Sequence, residues 1–410
     1  MKLSQTAIRE LSSQYRSVLK KCFILNAIVL MAVAPAMAAD YGVDVTETKT
    51  YTETSFDGTV AGIYSGTGKT GTFTAEDIVI KDTERGIYAV GTDSKVIIGS
   101  ESEFTDSLTI SNVSNRGIRA EKGAEVDIYT DDVSISAGDD VYALHVRGTT
   151  STNQKDESDI VTLISINAED VNLTSKNVAA VIVNNASIKQ DKNNSPTSKI
   201  SIVADNINIS SDSIALSTMS EGIIELTGNT VLNAPDVISA RGESTININT
   251  TDATKTLKMD GNINFSYNNA TSKSGIDANV NVALNGTESY WSGNTTVNWD
   301  VKPENEKLIV SNATVSLNEG ATWNVAKIEE TDTLRQNALN NLIVNKGTIS
   351  VSTGAKAWVE NMQVNGNLTL NGSVTADSVV FANNSSLTTT LLKDTAIITA
   401  NTVEVGENSI

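Results

Sequence analysis

From about residue 58 onward the chain is built of short runs in which aliphatic and polar residues alternate. Asp77-Ile78-Val79-Ile80, Ser107-Leu108-Thr109-Ile110, Val126-Asp127-Ile128, Asp132-Val133-Ser134-Ile135, Asp170-Val171-Asn172-Leu173, Asn206-Ile207-Asn208-Ile209 and Thr245-Ile246-Asn247-Ile248 all have period two. That period puts Ile, Leu and Val on one side of an extended strand and Asn, Ser, Thr and Asp on the other. Gly, Asn and Asp separate the runs and predict turns between strands. The one stretch with helical promise is IEETDTLRQNALNNL, residues 328–342, which predicts a helical excursion or a plain loop.

A phrase recurs between these strands. Gly62-Ile63-Tyr64-Ser65, Arg85-Gly86-Ile87-Tyr88-Ala89 and Arg116-Gly117-Ile118-Arg119-Ala120 open it. Val141-Tyr142-Ala143-Leu144, Val178-Ala179-Ala180-Val181, Ile214-Ala215-Leu216 and Val237-Ile238-Ser239-Ala240 continue it, at spacings of about 23 to 37 residues. The second half repeats differently. Leu308-Ile309-Val310, Thr314-Val315-Ser316-Leu317 and Gly320-Ala321-Thr322-Trp323 resemble Leu342-Ile343-Val344, Thr348-Ile349-Ser350-Val351 and Gly354-Ala355, a register of about 34 residues. Further strands are predicted at Met362-Gln363-Val364, Leu368-Thr369-Leu370, Val379-Val380-Phe381 and Ala396-Ile397-Ile398.

Two or three short strands per repeat cannot bury their own aliphatic side. Stacked repeats bury one continuous core. The expected fold is therefore all-β, a parallel β-helix (solenoid) in which each strand pairs with its counterpart one coil later. Asn and Thr at the turns can stack into ladders. A string of sandwich domains fits less well, since a sandwich needs ~100 residues.

Residues 1–38 are a different material. Lys2, Arg9, Arg16, Lys20 and Lys21 form a basic region, followed by the apolar run CFILNAIVLMAVA, Pro35 and the small-residue site Ala36-Met37-Ala38. This is the layout of a secretory signal peptide. About 13 apolar residues fall short of the ~20 of a spanning helix. The signal peptidase site is Ala36 and Ala38 with cleavage after Ala38, or after Ala39. Removal takes away Cys22, the only cysteine, so the mature chain has neither disulfides nor cysteine metal ligands. The predicted divisions are 1–38 signal peptide, 39–57 N-terminal cap or lead-in segment, 58–260 first repeat set, and 261–410 a second set holding all four tryptophans. This second set is expected to continue beyond residue 410.

Charge narrows the partners. The whole chain carries 30 Lys+Arg against 49 Asp+Glu, a net charge of −19. Without residues 1–38, which hold five bases and one acid, the net charge is −23. That disfavours a nucleic-acid partner, which needs clustered cations.

Candidate chemistry is thin. The stretch AGIYSGTGKTGTF, residues 61–73, holds G-x-G-x-x-G at Gly66, Gly68 and Gly71 and the G-K-T of a phosphate loop. A phosphate loop needs Gly at 63, which is Ile63, and both motifs need a helix to follow. A strand pattern follows instead, so no nucleotide is expected, and Lys69 is expected to point at water. His145 is the only histidine and sits in a repeat strand, so neither a Ser-His-Asp triad nor a two-histidine zinc site is expected. Acid pairs at Asp131-Asp132, Asp139-Asp140 and Glu329-Glu330 are what an acidic β-helix offers by chance. Asp191-Lys192-Asn193-Asn194-Ser195 starts like a calcium loop but has Pro196 where Gly belongs. No catalytic residue, cofactor or metal site is expected.

The long signal region, the G-I-x-A phrases and L-I-V-x₃-T-[VI]-S-[LV]-x₂-G-A together resemble the passenger region of a bacterial autotransporter (type V secretion). Gly320-Ala321-Thr322-Trp323-Asn324-Val325 is similar to passenger repeats of the pertactin type. The resemblance is one of style and covers essentially the whole mature chain. It implies a right-handed β-helix on a Gram-negative cell surface or secreted, often adhesive. It also implies an outer-membrane barrel as translocator, in cis beyond residue 410 or elsewhere. The signal lacks the family's extended-signal motif, and the N-P-N tripeptides of haemagglutinin-like exoproteins are absent. The expected function is an adhesin or structural protein contacting a host or bacterial surface ligand. A β-helix enzyme acting on polysaccharide and a passive stalk are the alternatives.

Overall fold

The computed structural model describes residues 41–148, 161–184, 197–267, 278–299, 312–327, 334–336, 339–390 and 396–409. All belong to the second of two compact units, Tyr41–Ile410. The signal segment with its Ala36, Ala38 and Ala39 boundary, the 191–195 loop, 308–310 and Glu329-Glu330 lie outside them.

Among the described residues every helix-or-strand element is a strand, and the strands wind into a β-helix-like coil. Each turn presents three faces, called here one, two and three in chain order. Each face-one strand is parallel to the face-one strand of the next turn: Tyr41–Val45, Ala61–Ser65, Arg85–Val90, Arg116–Glu121, Tyr142–Arg147, Ala179–Asn184 and Ile214–Met219. The recurring phrase is therefore one column. Ile63, Ile87, Ile118, Leu144, Val181, Leu216, Ile238 and Ile263 stand in register and have no solvent exposure. Turn length varies widely, with Val181 37 residues after Leu144 but Met362 only 20 after Leu342. Parallel pairing constrains the strands and leaves the turns free to lengthen.

Faces two and three carry matching columns. Phe73, Ile98, Ile128, Ile166 and Ile202 align on face two, and Phe56, Ile80, Ile110, Ile135 and Leu173 on face three. The three columns enclose a single core running the length of the unit. Each fully buried Ile or Leu contributes about 1.5–3 kcal/mol from leaving water. Farther along, face three widens its residues to Met259, Trp291 and Trp323. The two indoles stack inside the core with centroids 5.1 Å apart and planes 5° from parallel. Their Nε1–H groups donate to the carbonyls of Gly261 and Gly293 at 2.9 and 3.1 Å, which makes the burial affordable. The first turn closes the core with aromatics. Tyr51 stacks on Phe73 at 4.8 Å, and Phe56 meets the same ring edge-on at 5.5 Å.

Glycine in the phrase has a steric cause. A Cβ on Gly117 would lie 2.4 Å from the Ala143 carbonyl oxygen and 2.6 Å from Ile135 Cγ2, and one on Gly86 2.5 Å from the Gly117 oxygen. In later turns the same column holds Ala143, Ala180 and Ala215. The backbones approach closely at Gly86 and Gly117, and glycine fits there without a clash.

Two expectations from the sequence are corrected. The 34-residue register of the second half does not describe the stacking. Val315 lies beside Leu342, 27 residues on, and Trp323 beside Ile349, 26 on. The likeness between 314–317 and 348–351 joins strands of different faces, because one inward-outward alternation serves either face. The helical excursion is also overturned where it is described. Leu334–Gln336 is a strand antiparallel to Thr295–Trp299, and Leu339–Val351 continues the parallel stack. The strand Leu257–Tyr267 runs through position 260, where the sequence reading divides its two repeat sets.

Candidate binding face

The glycine-rich stretch 61–73 is part of the coil. Ala61–Ser65 and Thr70–Phe73 are strands of faces one and two, and Gly68, at φ +71°, turns the chain between them. Its backbone donors are already used, since Gly68 N–H donates to the Thr92 carbonyl at 3.0 Å and Lys69 N–H to Gly66 at 3.2 Å. A strand follows, not a helix, so this stretch lacks the helix N-terminus on which a phosphate loop relies. Lys69 is half-buried and not fully turned to water.

The outward chemistry gathers on face one of the early turns. Outward positions repeat along the stacking axis, so residues one turn apart become neighbours. The register places Tyr64, Tyr88, Arg119 and His145 in one outward row, and Arg85, Arg116 and Tyr142 in the row beside it. Tyr64 stacks on Tyr41 with centroids 4.2 Å apart and tilts against Tyr88 at 5.6 Å. The Arg85 and Arg119 guanidiniums lie 4.8 and 5.6 Å from the Tyr88 centroid, and that of Arg116 lies 4.1 Å over Tyr142. Such cation–π contacts are worth about 0.5–2 kcal/mol each.

Carboxylates hold the row in place. Tyr88 Oη donates to Glu121 at 2.8 Å, and Arg119 pairs with the same carboxylate. Arg147, with its side chain 46% exposed, reaches within 3.7 Å of it. Arg85 pairs with Glu84 at 2.8 Å. The Nε–H groups of Arg85 and Arg119 are buried without a hydrogen-bond acceptor. Burial together with the hydrogen bond to Glu121 pushes the Tyr88 hydroxyl up to about 12.

His145 sits beneath this layer, 6% exposed. Its Nδ1 accepts a hydrogen bond from Arg116 Nε at 2.9 Å, which leaves the ring proton on Nε2. Burial, reinforced by the charges of Arg116, Arg119 and Arg147, holds it well below the usual histidine range, so it is neutral. Burial also lowers Arg116 to about 10. Neutral His145 supports Arg116 and has no carboxylate or nucleophile partner among its hydrogen bonds.

The repeat phrase holds the signal for this cluster. Its framework positions are apolar or glycine, whereas the positions between them read Arg85, Tyr88, Arg116, Arg119, Glu121, Tyr142, His145 and Arg147. Attention to the framework passes over them, and only stacking shows that they are adjacent.

Elsewhere on the outer surface exposed charges such as Lys81, Glu169 and Lys346 stand scattered along the coil. A groove of about 740 Å³ at the corner between faces three and one is lined by Ser136, Thr174, Ser175, Ser210, Ser211 and neighbours. Its hydroxyls serve the turns: Ser175 Oγ donates to the Val141 carbonyl at 2.8 Å and Ser211 Oγ to Val178 at 2.7 Å. Asp132, of the first acid pair, stacks between Ser107 and Asp170. Among the described residues no three His, Cys, Asp or Glu side chains gather as metal ligands would. No family model, curated protein or solved structure matches the chain.

Proposed function

We propose that this chain is a passenger region of the autotransporter type, exported through the inner membrane and displayed on or released from a Gram-negative cell surface. There it serves attachment by binding, without catalysis. The observation that carries the reading is the three-faced parallel coil with one uninterrupted core. Such a fold offers long outer faces on a rigid frame, which suits a surface protein that must reach a partner. The coil fits a right-handed β-helix, because crossovers between parallel strands are right-handed in about 98% of cases. The basic and apolar layout of residues 1–38 supports export. The outer-membrane translocator is a barrel in cis or from another chain.

The test uses a Gram-negative host expressing the full reading frame. Antibody labelling and added protease on intact cells are expected to reach the chain. N-terminal sequencing is expected to find Ala39 or Asp40 first. Expressing cells are expected to adhere to host cells or to one another more than cells without it. A chain that stays protease-protected in intact cells overturns the surface reading.

A further inference from the structure

The arginines are placed unevenly. Six follow Arg16 in a chain of net charge −19, and four of them, Arg85, Arg116, Arg119 and Arg147, lie on face one within three successive turns. They outnumber the two carboxylates they pair with, Glu84 and Glu121. A positive stripe therefore crosses an acidic molecule at one place. Gathering like charges costs free energy, since they repel across a few ångströms. Arg116 shows that cost, being lowered by burial with Arg119 and Arg85 adding to the effect.

Core packing does not require these arginines. The inward column beneath them is Ile87, Ile118 and Leu144, which would stack as well under Ser or Thr. Later turns show this, with Ser217 and Ser239 in the row that holds Arg119 and His145 earlier. The aromatic rings Tyr41, Tyr64 and Tyr88 continue the stripe toward the first turn.

We infer that face one of the turns from Ala61 to Arg147 binds a linear anionic glycan, carrying carboxylate or sulfate groups, laid along the stacking axis. Guanidinium forks match carboxylate and sulfate oxygens in pairs. The faces of Tyr64, Tyr88 and Tyr142 are taken by Tyr41 and the guanidiniums, so these half-buried rings brace the arginines and offer a sugar chain only their exposed remainder. Turns follow one another at about 4.8 Å, so the stripe repeats on the scale of a sugar chain. Arg147, its side chain 46% exposed, is the guanidinium such a glycan meets directly, and the largely buried Arg85, Arg116 and Arg119 add positive field beneath it. A double-helical nucleic acid, far wider than a single sugar chain, meets the acidic surface on either side and is repelled. The inference deepens the attachment reading, and it rests on that reading for where such a glycan is met.

The experiment uses the purified chain on a biosensor with heparin, polygalacturonate, neutral dextran and poly-glutamate as probes. Heparin or polygalacturonate is expected to bind, dextran and poly-glutamate not, and binding is expected to weaken steeply with salt. Arg147→Glu, at the exposed rim, is expected to lower affinity roughly tenfold or more with circular dichroism unchanged. Tyr64→Ala tests the aromatic part and is expected to weaken binding at unchanged salt dependence. Lys346→Glu reverses an exposed charge far along the coil and is expected to change nothing. Binding of neither anionic glycan, equal binding of poly-glutamate, or equal losses from Lys346→Glu and Arg147→Glu overturns the inference. The two readings fail separately. Glycan binding by a chain that intact cells shield from protease sinks surface display alone. A displayed chain whose cell attachment is indifferent to Arg147→Glu and to added heparin sinks the glycan site alone.

Discussion

The early turns, 61–147, and the later ones, 278–390, share a core plan and differ outside it. Both bury apolar columns on faces two and three. The early turns line an outer face with arginine and tyrosine. The later turns line a different one, face two, with asparagine. Asn279, Asn312, Asn341 and Asn361 form one ladder, with amide-to-amide bonds of 2.9, 3.2 and 3.4 Å. Asn285, Asn318, Asn345 and Asn365 form a second, at 2.8, 2.7 and 2.9 Å. An amide both donates and accepts, so identical residues one turn apart satisfy each other. Arginines cannot, and need rings and carboxylates between them. The later outer face is self-sufficient, whereas the earlier one keeps unmatched positive charge. That difference is the ground on which the glycan site is proposed for the early turns.

If the plan is shared, core truncation is severe in both regions. Trp323→Ala is expected to cost about 3–5 kcal/mol and Ile118→Ala about 2–5 kcal/mol in urea unfolding. A small loss at either site would mean that region is loosely packed. Next in size is the close approach at Gly117. Gly117→Ala is expected to cost roughly 1–3 kcal/mol from overpacking against the Ala143 carbonyl. Ala180→Gly, one turn beyond Ala143 in the same column, should cost only about 0.5–1 kcal/mol. Equal effects would erase the distinction between the turns.

His145 gives the early turns a pH dependence that the later ones lack. Its folded-state pKa lies below the unfolded value of about 6.5. Below that pH the unfolded chain takes up a proton that the folded chain does not. This contribution to stability is thus present above about 6.5 and is lost as pH falls below it, by at most about 1.4 kcal/mol per unit. His145→Gln is expected to remove that part of the acid sensitivity, read as the pH dependence of the urea midpoint. An unchanged profile would show that His145 is not buried neutral. Smaller still, Asn341→Ala is expected to cost about 1 kcal/mol by breaking one ladder. Arg147→Glu, a surface change, should move stability by less than about 0.5 kcal/mol while altering binding. Hydrogen exchange along the coil would separate these local effects.

Much of the fold was legible because period two and small-residue spacing are local properties. Asp132-Val133-Ser134-Ile135 has one reasonable extended form, and Ile87 and Ile118 announce equivalent places by their neighbours. The second half misled for the same reason. Thr314-Val315-Ser316-Leu317 and Thr348-Ile349-Ser350-Val351 look alike, yet they occupy different faces, since alternation does not encode which face a strand joins. The candidate face was legible only in part. Arg85, Arg116 and Arg119 are visible in the phrases, but turns of varying length hide that they touch.

The sequence by itself determined that the chain is built of strands and that its aliphatic positions form a repeated inner surface. Alternation, turn residues and composition are short-range facts, and strands follow from them. Only the tertiary structure decided the stacking offsets, the need for glycine beside Ala143, the neutral burial of His145 and the gathering of four arginines on one face. Those depend on which residues lie one turn apart. Turn lengths fix that distance, and their effect appears only when the chain closes on itself.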